Sequence, residues 1–333
     1  MEEQHTPEQG PHPVPIEDSR VESPGFFVVG HARSGTTWLE RVINSHPEVL
    51  CKGGGMFFGR DVNPSEVHRT LPTALSGCED LKTWYGMRVN GWGERPFEEA
   101  LPGMVRALID HISGTELARS GKRIVGDRTP HYVSCLEEIH ELYPEAKIIH
   151  AVRDGRDAVI SGMHNFWHHS RDRGGHISLE PEEIEIRDAY FEDREAFLSD
   201  GQSIFTEKRL LQRARRWNHT VGQGRRTGME LFGDNYLDFR YEDHLHQPHE
   251  ALAKLFGFLE VGTDPHTIER AIEENRFEKL TGRAPGQELS GNHARKGVAG
   301  DWKELFTGRD KRIFEEEAGD LLIQLGYERH LNW

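Results

Sequence analysis

At 333 residues the chain holds one large α/β domain with insertions, or two small domains. No stretch reaches the ~18 consecutive apolar residues that a bilayer span needs. A formal charge of −15 sets the chain against nucleic-acid polymers and anionic membrane surfaces. The opening residues Met1-Glu2-Glu3-Gln4-His5 lack the basic and apolar regions of a secretory leader. Cys51, Cys78 and Cys135 are odd in number and show no C-x-x-C or Cys/His spacing. That usage points to a reduced, cytoplasmic compartment and away from bound metal. An acidic chain that binds a polyanionic nucleotide must concentrate Arg, Lys and backbone N–H groups locally.

Residues 1–24, rich in proline and scattered acids, read as a flexible arm ahead of a single domain over 25–333. Gly25-Phe26-Phe27-Val28-Val29 predicts a buried strand ending at Gly30. Trp38, Leu39, Val42 and Ile43 then recur at helical spacing, and the helix should stop near Ser45-His46-Pro47. Helical stretches at 97–112 and 135–143 precede strands expected at 123–126 and 147–152, and 236–240 is a further strand. Strands alternating with helices predict an α/β fold with a mostly parallel sheet, which takes ligands at the carboxyl ends of its strands. The acid-rich segment around 170–200 and a long helix over 203–221 are expected as a peripheral helical cap. Its acids form either a solvated face or a cover over a binding site.

Gly30-His31-Ala32-Arg33-Ser34-Gly35-Thr36-Thr37 lies between a strand and a helix, so backbone N–H groups and the positive end of the helix dipole converge there. The two glycines permit a tight turn, and Arg33, Ser34, Thr36 and Thr37 add donors. A Walker A loop, G-x-x-x-x-G-K-[ST], is matched at its first six positions only, because Thr36 replaces the lysine. Without that cation a magnesium-dependent kinase is the lesser alternative. Farther on, Arg153 closes a strand and Ser161 follows two helical turns later, an arrangement that grips a phosphate from two sides. Arg153 and Asp157 as a helix-start ion pair is the other reading. Arg295-Lys296-Gly297 sets two cations beside a glycine in a loop able to fold over a phosphate.

These segments together resemble the PAPS-dependent sulfotransferases, which use 3′-phosphoadenosine 5′-phosphosulfate (PAPS) and release 3′-phosphoadenosine 5′-phosphate (PAP). The run 27–39 is similar to that family's 5′-phosphosulfate loop. The resemblance implies that Arg33, Ser34, Gly35, Thr36 and Thr37 hold the 5′ end, that Arg33 stabilises the departing phosphate oxygen, and that Trp38 lies near the adenine. Arg153 through Ser161 resembles the 3′-phosphate motif, with the same eight-residue step. Arg295-Lys296-Gly297-Val298-Ala299-Gly300-Asp301-Trp302-Lys303-Glu304-Leu305-Phe306-Thr307 looks like the family's R-K-G-x-x-G-D-W-K-x-x-F-T at every fixed position. The likeness covers 25–307 in order. It implies a P-loop-like sulfotransferase fold and transfer of a sulfuryl group to a hydroxyl or amine on a small-molecule, carbohydrate or lipid acceptor, with no metal. Arg240-Tyr241-Glu242-Asp243 resembles a family segment expected to be structural.

The catalytic base departs from the pattern. Arg128, in Asp127-Arg128-Thr129-Pro130-His131-Tyr132, resembles the lysine of the family's K-[ST]-P-x-Y segment, with arginine in its place; pairing with Asp127 is the alternative. One branch carries a glutamate three residues before a Phe-Phe pair, and here Gly54 stands three before Phe57-Phe58. His131, Asp127 and His164 are the substitutes nearest to strand ends, His131 having a suitable ordinary pKa. A PAP(S)-binding protein of impaired catalysis is the remaining alternative. Acceptor contacts are expected from 56–61, 84–92 and 164–176.

Overall fold

The structure, a computed structural model, describes residues 23–59, 70–89, 95–284, 286–287 and 296–333. Residues 1–22 of the expected arm lie outside the described residues. Strand β1 (Phe26–Gly30) is buried throughout, as an unbroken apolar run must be when helices cover both faces of a parallel sheet. Phe26 and Val28 face one layer, with Leu39, Val42 and Ile43 of α1 (Thr36–Ser45). Phe27 and Val29 face the other, with Ile109 of α2 (Arg95–Ser120) and the rings of Tyr132 and Tyr143. The alternation follows the strand's two-residue period.

Strands β2 (Val49–Gly53), β3 (Ile124–Arg128), β4 (Lys147–Val152) and β5 (Tyr236–Arg240) complete a five-stranded sheet in the order β2-β3-β1-β4-β5. Every neighbouring pair is parallel. With β3 on one side of β1 and β4 on the other, the connections diverge at the carboxyl end of β1 and leave a crevice there. This is the expected α/β class. β2 was not expected. It is an edge strand whose only buried residues are Val49 and Cys51, paired to β3 from Val49↔Ile124 to Gly53↔Arg128.

A third packed cluster lies beyond the carboxyl end of β4. It joins α3 (Gly155–His168), α4 (Pro181–Glu192), α5 (Glu207–Phe232) and, after α6 (Pro265–Glu274), the helix α7 (Gly308–Gln324). Helix α5 departs from its expected peripheral place. It packs along β4, β5 and α7 and buries Leu210, Ala214, Trp217 and Val221 on one stripe. Each such large apolar side chain contributes on the order of 1.5–3 kcal/mol when fully buried. Within 170–200, Tyr190 and Phe197 anchor the acid-rich helices to that cluster, while most of the acids of α4 face outward. Among the described residues no helix is long and apolar enough to cross a membrane.

Candidate functional site

The turn between β1 and α1 is built around two close approaches. A Cβ on Gly30 would stand 2.6 Å from the Ala151 carbonyl oxygen of β4. Gly35 takes φ +88 as the first cap of α1, and a Cβ there would meet the Tyr241 ring at 2.5 Å. Arg33 is itself left-handed at φ 73, a conformation costing a non-glycine residue ~1–2 kcal/mol. Strain of this kind, held in place by surrounding structure, collects at ligand sites. The first turn of α1 carries neither a side-chain cap nor an acidic residue, so its N–H groups and dipole face the crevice uncompensated. Ser34 is buried, and its hydroxyl oxygen has no hydrogen-bond partner among the described residues.

From the other side of β1, Arg153 follows the last residue of β4 and Asp154 caps α3 by accepting the Arg156 N–H. The Arg153 guanidinium lies 4.5 Å over the Tyr241 ring and donates to the carbonyls of Arg33 and Val298, both at 3.3 Å. Its Nε is buried without a partner among the described residues. Asp157 is 3.9 Å away, too far for a tight pair. Its carboxylate instead accepts the N–H groups of Gly300 at 2.6 Å and Trp302 at 3.1 Å. The helix-start ion pair is therefore secondary, and Asp157 fastens the third loop to α3. Ser161 is buried and accepts a hydrogen bond from Arg33 Nε at 3.1 Å, which ties the first two segments together.

In the third segment, Lys296 Nζ lies 3.4 Å from Asp301 Oδ1. Gly297, at φ 65, rests so close to the Phe277 ring that a Cβ would meet it at 2.3 Å. Arg295 lies outside the described residues. Arg156 braces this arrangement from beneath: it is paired with Asp154 and Glu328, each through a nitrogen–oxygen contact of 2.8 Å or less, and its guanidinium is stacked between Trp302 at 3.7 Å and Trp333 at 4.2 Å.

The three segments open onto one cavity of about 650 Å³. Arg33, Gly35, Thr36, Thr37, Trp38, Arg153, Ser161, Lys296 and Gly297 all line it. Its charged walls are Arg33, Arg41, Arg153, Arg276 and Lys296 against Glu278, so a chain of net charge −15 turns a cationic face inward here. Trp38 donates its indole N–H to the Asn275 carbonyl at 3.1 Å and stacks on His244 at 3.6 Å. Tyr241, Asn275, Phe277 and Thr281 also line it and were not expected from the sequence. In the segment 240–243, Glu242 is structural, accepting from the Asp154 N–H and the Tyr327 hydroxyl, whereas Tyr241 faces the cavity.

Arg128, His131, His164 and Asp127 do not line this cavity. Arg128 turns at the end of β3 toward Glu40 of α1, with Nη2 2.7 Å from its carboxylate, rather than toward Asp127. His131 is exposed on a short 3-10 turn, its ring edge-on to Tyr132. His164 packs edge-on to Trp167 and Tyr190 in the third cluster. Asp127 is buried beneath the Gly54–Gly55 turn. It accepts the Gly55 N–H at 3.1 Å and the Thr129 hydroxyl at 2.5 Å, and burial pushes its carboxyl up to about 6. Gly54 takes φ +79 with open space where a side chain would begin.

A family model described as the sulfotransferase family matches residues 24–197, a little over half of the chain. The chain belongs to the sulfotransferase family. Among curated relatives, nodulation protein NoeE of Sinorhizobium fredii is 24% identical over 318 residues, 92% of this chain and 66% of its own. Protein-tyrosine sulfotransferase A of Caenorhabditis elegans is 26% identical over 144 residues, 42% of this chain and 33% of its own. The chain thus spans less than two thirds of the length of either relative. Among solved structures, mouse sulfotransferase SULT7A1 complexed with PAP aligns at 19% identity over 92% of this chain and 86% of its own, with a TM-score of 0.48.

Proposed function

We propose that this chain moves a sulfuryl group from PAPS to a hydroxyl or amine acceptor and releases PAP. The observation that carries the reading is the convergence of three segments, separated by more than a hundred residues each, on one cationic cavity. Its volume falls in the ordinary range for cofactor sites. The residues fit the donor: the buried Ser34 hydroxyl and Arg153 Nε lack protein partners among the described residues, and both belong to segments facing the cavity.

In this reading, Ser34, Gly35, Thr36 and Thr37 hold the 5′ end against the start of α1. Arg153, Ser161, Lys296 and Gly297 hold the 3′-phosphate, joined by Arg295, while Trp38 and Phe277 flank the base. PAPS supplies the activated sulfuryl group, whose transfer, like phosphoryl transfer, rewards positioning and charge stabilisation. Arg33 reaches the same hydroxyl, Ser161, that borders the 3′ side, and supplies positive charge where the leaving oxygen becomes anionic. Arg128 is held by Glu40 at the end of β3, and its charge is compensated there.

We assign proton removal from the acceptor to Asp127. It lies against Gly55, one residue from the vacant glutamate position, and a carboxyl near 6 suits a base working close to neutrality. The relative named a protein-tyrosine sulfotransferase adds tyrosyl peptides to the phenols, sugars and amines worth assaying with labelled PAPS. PAP without metal should raise the melting temperature by several degrees at ~100 times its dissociation constant, a stabilisation of about 2.7 kcal/mol. A shift with ATP and magnesium but none with PAP would transfer the reading to a kinase.

A further inference from the structure

Helix α5 crosses α3 and brings Arg213 against Gly162, the residue after Ser161. Arg213 Nη1 lies 2.7 Å from the point where a Cβ on Gly162 would stand, and Cγ of Arg33 lies 4.0 Å from the same point. The missing side chain at Gly162 is what admits a second guanidinium beside the stem of the first. Arg213 rests 5.0 Å over the Phe166 ring, yet it makes no hydrogen bond or ion pair with any described residue, and its Nε is fully buried without a partner.

The charges around it do not compensate. Glu183, the carboxylate within reach of its field, is taken by Arg209 at 2.5 and 2.9 Å. The remaining neighbours, Arg209 and Arg216, are cations, and burial together with them lowers Arg213 to about 10. His31 is also close, but burial pushes it down to about 4, so it is neutral near pH 7. A half-buried guanidinium whose Nε is sealed from water and which has no counter-ion is costly, and an oxyanion bound at its open end would offset that cost. The nucleotide cavity does not supply the place, because Arg213 is not among its lining residues.

We propose that Arg213, flanked by Arg216, binds an acidic group of the acceptor, so that the acceptor is an anion carrying a carboxylate, phosphate or sulfate besides the group that is sulfated. This deepens the sulfotransferase reading and rests on it. The Phe166 ring beneath the guanidinium would give that acidic group an apolar neighbour. Arginine suits the role because its planar fork matches an oxyanion in two bonds.

The test fills the donor site first. Protein loaded with PAPS is titrated with inorganic phosphate by calorimetry. Phosphate should bind with a dissociation constant on the order of 1 mM. Arg213→Gln should weaken it about tenfold, the loss of one charge-assisted contact, while leaving PAPS affinity unchanged. Arg213→Lys, which keeps the charge, should recover part of the loss and serves if the glutamine variant does not fold. Phosphate uptake by the PAP form but not by the PAPS form would give Arg213 to the donor's own sulfuryl oxygens and overturn the proposal. So would no uptake in the wild type, or equal affinity in Arg213→Gln. Failure of the wild type to bind PAPS at all would instead sink the nucleotide reading, and this inference with it.

Discussion

Replacing Arg153 with alanine isolates the 3′-phosphate arm, and the structure sets the size of the effect. In the free protein its guanidinium makes two 3.3 Å bonds to neutral carbonyls, a 4.5 Å contact with Tyr241 and a loose 3.9 Å approach to Asp157. Long bonds to neutral acceptors are worth about 0.5–1 kcal/mol each, and the ring contact a similar amount. Removing a buried cation whose Nε is unpartnered offsets part of that loss. The cost to folding is therefore about 1–2 kcal/mol, which a domain with 5–15 kcal/mol of stability survives. The cost to binding is larger, because a hydrogen bond to a charged partner contributes about 1.5–3 kcal/mol. A loss of 2–3 kcal/mol is about 30–150-fold in PAP affinity. AMP lacks the 3′-phosphate, so its affinity should barely change in Arg153→Ala. Calorimetry with both nucleotides on both proteins, and urea unfolding to confirm the fold, closes the cycle. Equal losses for PAP and AMP, or no loss for PAP, would refute the assignment.

Gly54→Glu has room for its side chain but strains a backbone at φ +79, by ~1–2 kcal/mol. If Gly54 is the vacant base position, the variant should speed transfer to a hydroxyl acceptor relative to Gly54→Ala; a flat or lower rate with intact PAP binding rejects it. Asp127→Asn should slow hydroxyl transfer by ~10²–10⁴-fold without affecting PAP binding, and a rate within threefold of wild type would remove Asp127 from the chemistry. Since the carboxylate is the working form and its pKa is raised to about 6, wild-type kcat/KM should fall as pH drops through that value. The same acid limb should be missing from the variant.

The sheet was readable where apolar residues run together, as in Lys147–Val152, or alternate, as in Tyr236–Arg240. Lys147–Val152 and Tyr236–Arg240 keep the bounds expected of them. β2 escaped because its Lys52-Gly53 end is exposed and only two of its residues reach the core. Helix α5 was misplaced because its six arginines make it look peripheral, while its apolar stripe is narrow. The loops that line the cavity were legible since each is local: glycines, hydroxyls and cations fall within a few residues. Tyr241, Asn275 and Phe277 reach the cavity only through the packing of α6 and the turn after β5, which spacing does not encode. Arg213 was equally hidden, being one arginine among six until Gly162 is seen beneath it.

The bracing of Arg156 by Trp302 and Trp333 has a practical consequence. The Trp333 ring lies 5.2 Å from that of Trp302, whose N–H is held by the same Asp157 that sits one turn before Ser161. Removing the Trp333 ring would free one face of the Arg156 guanidinium and loosen the scaffold beneath the cavity. A fall in nucleotide affinity in Trp333→Ala would report that leverage, since Trp333 itself does not line the cavity.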